Sequence, residues 1–253
     1  MTMASVLPTV RGLAGVALVA SGVALVPAPA SAAAQHRAPA AAQHRLADTY
    51  PNYAELAAHE TEGTDYRRVK RFPQGAKVAH IAIHGGSIEA GTSQLADYSA
   101  EASQAAFYAF EGIKPTGNGT LHITASRFDE PRALTLLSRV DRTVSWHGYS
   151  DSTEASTYVG GRDTALVERV TAGLRAAGFT VAREIPDGLD GSSPDNIANK
   201  NRRGKGLQLE ISSAQRKRFF ADGDLTRSSI ENPANRTKAF YAYTAVINKA
   251  LSD

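Results

Sequence analysis

Short apolar runs alternate along the chain with longer amphipathic ones. Residues 78–84 (VAHIAIH), 121–125 (LHITA), 143–147 (TVSWH), 179–184 (FTVARE) and 206–211 (GLQLEI) are brief, apolar or β-branched, and bounded by turn residues. That pattern predicts buried strands. Between them, residues 92–110 are Ala-rich with apolar positions three and four apart, which predicts a helix. Residues 131–140 open on Pro131 at a first helical position. Residues 162–177 are closed by Gly178, and residues 235–251 form a last amphipathic stretch. Strands alternating with helices predict one α/β domain. Its sheet is open, mixed and largely parallel, with helices on both faces. Ligands of such sheets gather at the carboxyl ends of the strands.

The first residues follow a different pattern. Residues 13–26 are an uncharged run of 14 positions, apolar but for Ser21, preceded by the single charge of Arg11 and followed by Ala30-Ser31-Ala32. A basic start, an apolar centre and a small-residue cleavage site predict a signal peptide over residues 1–32. A spanning helix needs about 20 apolar residues, so the run is too short for an anchor. Residues 33–45 are Ala- and Pro-rich, carry AQHR twice, and are expected to be a disordered leader. Residues 46–253 are the size of one catalytic domain. The expectation is therefore a secreted, extracellular chain, free of the membrane after cleavage and monomeric.

Composition narrows the chemistry. There is no cysteine, so disulfides, thiolate nucleophiles and Cys-ligated zinc are excluded. The net charge is +3, with basic residues clustered only at residues 200–205 (KNRRGK) and 216–218 (RKR). Such clusters suit a nucleic acid, an anionic extracellular polymer or plain solvation. Export and the lack of a nucleic-acid motif argue against a replication-associated, nucleic-acid-binding protein.

His84 closes the first run and Glu89 follows it in HGGSIEAGT; His147 closes the third run; Glu210 lies within the last. Two histidines, a carboxylate and a second carboxylate are the parts of a catalytic zinc site. There the metal activates water and a glutamate takes its proton. The His-x4-Glu spacing is weak evidence by itself. Glu210 says more, because an unpaired carboxylate in an apolar strand is expensive. His80 shares strand parity with His84 but lies four residues deeper and reads as core or as a support behind the site, while His122 stands at the start of its expected strand, the wrong end for this site. His36, His44 and His59 fall outside the pattern. Ser126, His147 and Asp129 could compose a triad, but no nucleophile elbow accompanies them.

Five stretches, in order, resemble the poly-γ-glutamate hydrolase family: IHGGSIEAGTSQLA, LHITASRFDEP, SWHGY, YVGGRD and SSPDNIANKNRRGKGLQLEIS. The resemblance implies a zinc carboxypeptidase-like fold and hydrolysis of γ-glutamyl amide bonds. It implies Zn2+ on His84, Glu89 and His147, with Glu210 as general base. A substrate with a free α-carboxylate on every unit calls for cations and amide donors. The candidates are Arg162, Arg202, Lys205, Asn196 and Asn199, with Arg127 nearby. Asp129 is expected to cap the helix at Pro131. Peptidoglycan stem peptides, which also contain γ-glutamyl bonds, are the alternative substrate.

Overall fold

Alternate residues of the central strands face two separate apolar layers, and this alternation sets the whole architecture. A computed structural model describes residues 48–252; the expected signal peptide and leader lie outside the described residues. Six strands form one sheet: β1 (Tyr66–Arg71), β2 (Val78–Gly86), β3 (Ala106–Gly112), β4 (Arg142–Tyr149), β5 (Thr157–Gly161) and β6 (Leu207–Ser212). Their order is β1-β3-β2-β4-β6-β5. The inner pairs β3/β2, β2/β4 and β4/β6 are parallel, and the edge strands β1 and β5 run antiparallel. Parallel neighbours need crossovers. Helix α2 (Thr92–Ala102) joins β2 to β3, α3 (Pro131–Leu137) joins β3 to β4, and α4 (Thr164–Ala176) begins the return to β6. α1 (Tyr53–His59) precedes the sheet. The short α5 (Ser213–Lys217) and α6 (Arg227–Glu231) follow it, before the closing α7 (Lys238–Ser252).

On one face, Ala82, Phe107, Val144, Trp146, Leu207, Leu209 and Ile211 pack against α2, α4 and α7. Helix α4 turns Leu166, Val170 and Leu174 inward at a spacing of four, and α7 turns Phe240, Tyr243 and Ile247. On the other face, Ala79, Ile81, Ile83, Tyr108 and Phe110 pack against Leu56 of α1 and Leu136 and Leu137 of α3. Helices thus cover both faces, as expected.

The second face changes character partway across the sheet. Ala79 and Ile81 of β2 pair with Thr143 and Ser145 of β4, and Ser145 and His147 pair with Gln208 and Glu210 of β6. The row that is apolar on β3 and β2 is polar on β4 and β6, and Thr143, Ser145, His147, Gln208, Glu210 and Ser212 are all buried. Buried polar groups persist only when hydrogen-bonded or put to use.

Three expectations change. Residues 121–125 form no strand: residues Asn118–Leu121 make a 3-10 turn, and the chain continues as an extended segment with Leu121 and Ile123 buried. The alternation is real, but no strand pairs with it. Residues 179–184 contribute one isolated bridge, Val181 to Thr157. The long helix from Thr92 stops at Ala102, where Gln104 takes a left-handed conformation (φ 55°), and the chain re-enters the sheet as β3.

Candidate metal centre

The carboxyl end of β2 is shaped to return a carboxylate to its own histidine. The pairing of β2 with β3 slips between Ala82 and Gly85, an irregularity of the kind that re-aims a side chain. The Ile88 N–H donates to the Gly85 carbonyl and the Glu89 N–H to the His84 carbonyl (2.9 Å), closing a tight turn. Gly86 has φ +63°, and a Cβ there would lie 2.4 Å from the Gly112 carbonyl oxygen, so this turn needs glycine. As a result, Glu89 Oε1 lies 2.9 Å from His84 Nδ1. Its Oε2 accepts the Gly148 N–H at 2.8 Å, tying the turn to β4.

The tautomer of His84 follows from its outer partner. His84 Nε2 faces the Ile123 carbonyl at 2.8 Å; a carbonyl only accepts, so Nε2 carries the proton and a neutral ring presents a lone pair at Nδ1. His147 Nε2 meets Ser145 Oγ at 2.9 Å. Its Nδ1 lies 3.1 Å from His84 Nδ1 and 3.6 Å from Glu89 Oε2. Two imidazole nitrogens and a carboxylate therefore converge within 3.6 Å, an arrangement that repels unless a cation sits among them. Ligand atoms held at zinc bond lengths on a tetrahedron are about 3.3 Å apart, and the observed 2.9, 3.1 and 3.6 Å straddle that value.

Glu210 stands on β6 beside His147. Gln208, two residues earlier on the same face, donates to Glu210 Oε1 (3.0 Å) and to the Leu189 carbonyl (3.1 Å). Gln208 is itself fixed by Asn196, which donates to its Oε1 at 2.7 Å. Behind the site lies Arg216, only 6% exposed. Its guanidinium donates to the carbonyls of Ile211 (3.1 Å), Ala90 (2.8 Å) and Tyr149 (3.3 Å). It thereby fastens the end of β6, the turn after Glu89 and the end of β4. Burial lowers its affinity for a proton, and Glu89 and Glu210 pull it back up. A Cβ on Gly148 would meet Arg216 Nε at 2.5 Å, so the arginine needs glycine beneath it. This member of the RKR cluster is thus part of the interior and does not belong to a basic surface.

His122 also belongs here, contrary to the sequence-based expectation. Its ring packs on that of His84 with centroids 4.0 Å apart. A ring nitrogen of His122 and the ligand atoms of His84 and Glu89 lie within 4.8 Å of one another. His122 is thus a further candidate ligand beside the His84–Glu89–His147 set. The signal that hid His122 was the expectation of a strand through residues 121–125, which reversed its apparent end. His80 is a core residue: its Nδ1 accepts the Trp146 indole N–H at 3.2 Å, and burial lowers its pKa to about 3.

A model of the poly-gamma-glutamate hydrolase family matches residues 50–246. The chain belongs to the poly-gamma-glutamate hydrolase family. Its relatives include the SPbeta prophage-derived protein YoqZ of Bacillus subtilis (strain 168), 40% identical over 209 residues, which are 82% of this chain and 73% of YoqZ. YndL of the same strain is 37% identical over 208 residues, 81% of this chain and 79% of YndL. Among solved structures, a bacteriophage poly-gamma-glutamate hydrolase superposes with a TM-score of 0.77 at 36% identity, covering 81% of this chain and 97% of that one. A zinc-free structure of YndL superposes with a TM-score of 0.74 at 36% identity, covering 82% of this chain and 98% of that one.

Within this family member, the expected substrate contacts fall elsewhere. Arg162 follows Gly161, which pairs with Leu207 at the amino end of β6. Lys205 precedes that same end, and Arg202 pairs with Asp141 (2.7 Å) just ahead of β4. At about 3.3 Å per residue, the three lie about 10–20 Å down the strands from His147 and Glu210, at the opposite end of the sheet. Asn196 and Asn199 are buried with their amides committed. Asn196 accepts the Ala198 N–H as it holds Gln208, and Asn199 donates to the Gly191 and Ser193 carbonyls and accepts the Gly206 N–H. They build the loop that covers the polar face; Asn199 spends both amide N–H groups within that loop, and Asn196 spends one on Gln208. Asp129 does not cap α3 either: Glu130 accepts the Arg132 and Ala133 N–H groups, and Asp129 accepts that of Tyr53. Arg127, half exposed, is joined to the site through Asp48 and His122, whose ring packs on His84, and Tyr158 is paired in register with Glu210.

Proposed function

We propose that this chain is an exported, zinc-dependent hydrolase that cleaves the γ-glutamyl amide bonds of poly-γ-glutamate. The observation that carries the reading is the convergence of His84 Nδ1, His147 Nδ1 and the Glu89 carboxylate within 3.6 Å, beside Glu210, in a member of this family. The donor set of two imidazoles and one carboxylate suits zinc and leaves a fourth position for water. When bound, zinc would polarise the scissile carbonyl and make water nucleophilic at neutral pH.

The residues of the chain divide the remaining work. His84, Glu89 and His147 would hold the metal, with the Ile123 carbonyl fixing the His84 tautomer and Ser145 orienting the His147 ring. Glu210, oriented by Gln208, takes the proton from the attacking water and delivers it to the leaving nitrogen. Arg127 is the cation placed to meet a substrate carboxylate.

The test is the chain length of poly-γ-glutamate incubated with purified protein, with chelator, and with zinc restored. Shortening that stops on chelation and returns with zinc is the expected result. Intact polymer at full zinc occupancy rejects the substrate and directs attention to peptidoglycan stem peptides.

A further inference from the structure

The carboxylate of Asp48 reaches the rim of the metal centre from just ahead of α1. Its side chain is 2% exposed. Oδ1 accepts from His122 Nδ1 at 2.7 Å, and Oδ2 accepts from the Thr124 N–H at 2.8 Å and Arg127 Nη2 at 2.7 Å. Burial raises its pKa, yet the bonds from Thr124 and His122 prevail and hold it below its ordinary value.

All three partners lie on one segment, 74 to 79 positions further along the chain. That segment pairs with no strand, so the sheet does not fix its course. The fixing contacts are the bond from His84 Nε2 to the Ile123 carbonyl, the Ile197 N–H on the Ala125 carbonyl, and Asp48. With Nδ1–H given to Asp48, a neutral His122 keeps a lone pair on Nε2, and its ring lies on His84. Arg127 spends Nη2 on Asp48, while its Nε and Nη1 make no hydrogen bond among the described residues and the side chain is 52% exposed. One buried carboxylate thus aligns an imidazole and a guanidinium side by side at the site's edge.

We infer that Asp48 is a positioning residue of the substrate site: it sets His122 and Arg127 so that the guanidinium receives the free α-carboxylate of a γ-glutamyl unit beside the metal centre. The inference rests on the γ-glutamyl reading above. The family match begins at residue 50, so Asp48 lies ahead of the matched stretch. A guanidinium held by a buried carboxylate is pre-organised for a bidentate partner, and charge-assisted bonds of this kind are the strong ones.

The experiment uses the full chain and two readouts. The first is calorimetric binding of a short γ-glutamyl oligomer to the metal-free protein and to D48A, R127A and D48A/R127A, with D48N as the size-matched variant. D48A and R127A are each expected to weaken binding about ten-fold, and the double variant no more than either alone, because Asp48 acts through Arg127. Unchanged binding in D48A, or additive losses in the double variant, would overturn the inference. The second readout is the nitrogen-15 spectrum of His122, which needs no ligand. D48A should release the Nδ1–H tautomer, whereas the amide oxygen of D48N can still accept from it; an unchanged His122 spectrum in D48A overturns the positioning role. Failure of the wild-type protein to bind the oligomer, with or without metal, rejects the γ-glutamyl reading; the His122 spectrum still decides whether Asp48 sets that ring.

Discussion

His147 and Glu210 stand opposite one another across the parallel β4/β6 pair, on the face where the sheet exchanges apolar for polar residues. One lies beside His84 Nδ1 and the Glu89 carboxylate, and the other is oriented through Gln208. This neighbour relationship separates a ligand from a base, and the two should respond differently to substitution. Glu210→Gln keeps size and hydrogen bonding but cannot accept a proton. It is expected to retain metal and lose about 10²–10⁴-fold in kcat. Metal analysis and turnover on the same sample check both halves.

Arg216 is expected to be structural and electrostatic at once. Arg216→Met removes the donors of two strand-end carbonyls and the Ala90 carbonyl, and the cation shared by Glu89 and Glu210. Breaking a buried charge arrangement of this kind costs about 3–5 kcal/mol. Denaturant unfolding of the metal-free protein should show a loss of that order, partly recovered on adding metal.

His80 should make the protein acid-sensitive well away from the metal centre. Its folded pKa is lowered to about 3 from 6.5, so the unfolded chain binds the extra proton between those values. Its contribution is complete above about pH 6.5 and is lost as pH falls toward 3, at up to about 1.4 kcal/mol per pH unit. His80→Asn keeps an acceptor for the Trp146 indole and cannot titrate. Its stability profile should be flatter over that window by urea unfolding at successive pH values.

The basic residues at the far end of the sheet should be dispensable for turnover. Arg202→Ala removes an exposed pair with Asp141, and such pairs contribute about 0–1 kcal/mol. R202A and R162A are expected to keep kcat/KM within about two-fold of wild type, whereas R127A should raise KM. Steady-state kinetics on a γ-glutamyl oligomer separates them.

Much of this was legible in the chain itself. The apolar runs of β2, β4 and β6 are short, buried and closed by turns, so their strands and parallel arrangement could be read directly. His147 and Glu210 could be placed near strand ends, but that they share a face follows from the β4/β6 register. The rest depended on long-range contacts. An Ala-rich run does not say where a helix yields to a strand, and here Gln104 decides it. His122 looked misplaced because LHITA alternates like a strand yet has no strand beside it. Asp48 carried no local signal, since its three partners are 74 to 79 residues away. Arg202 and Lys205 were drawn toward the site by their motif, although β6 must run several residues past them before reaching Glu210.

The decisive measurement is anomalous diffraction at the zinc edge from crystals of the zinc-loaded protein. The expected result is one peak about 2.0–2.2 Å from His84 Nδ1, the Glu89 carboxylate and His147 Nδ1. A peak bonded to His122 in place of His147, or no zinc at these residues, would contradict the metal centre described here.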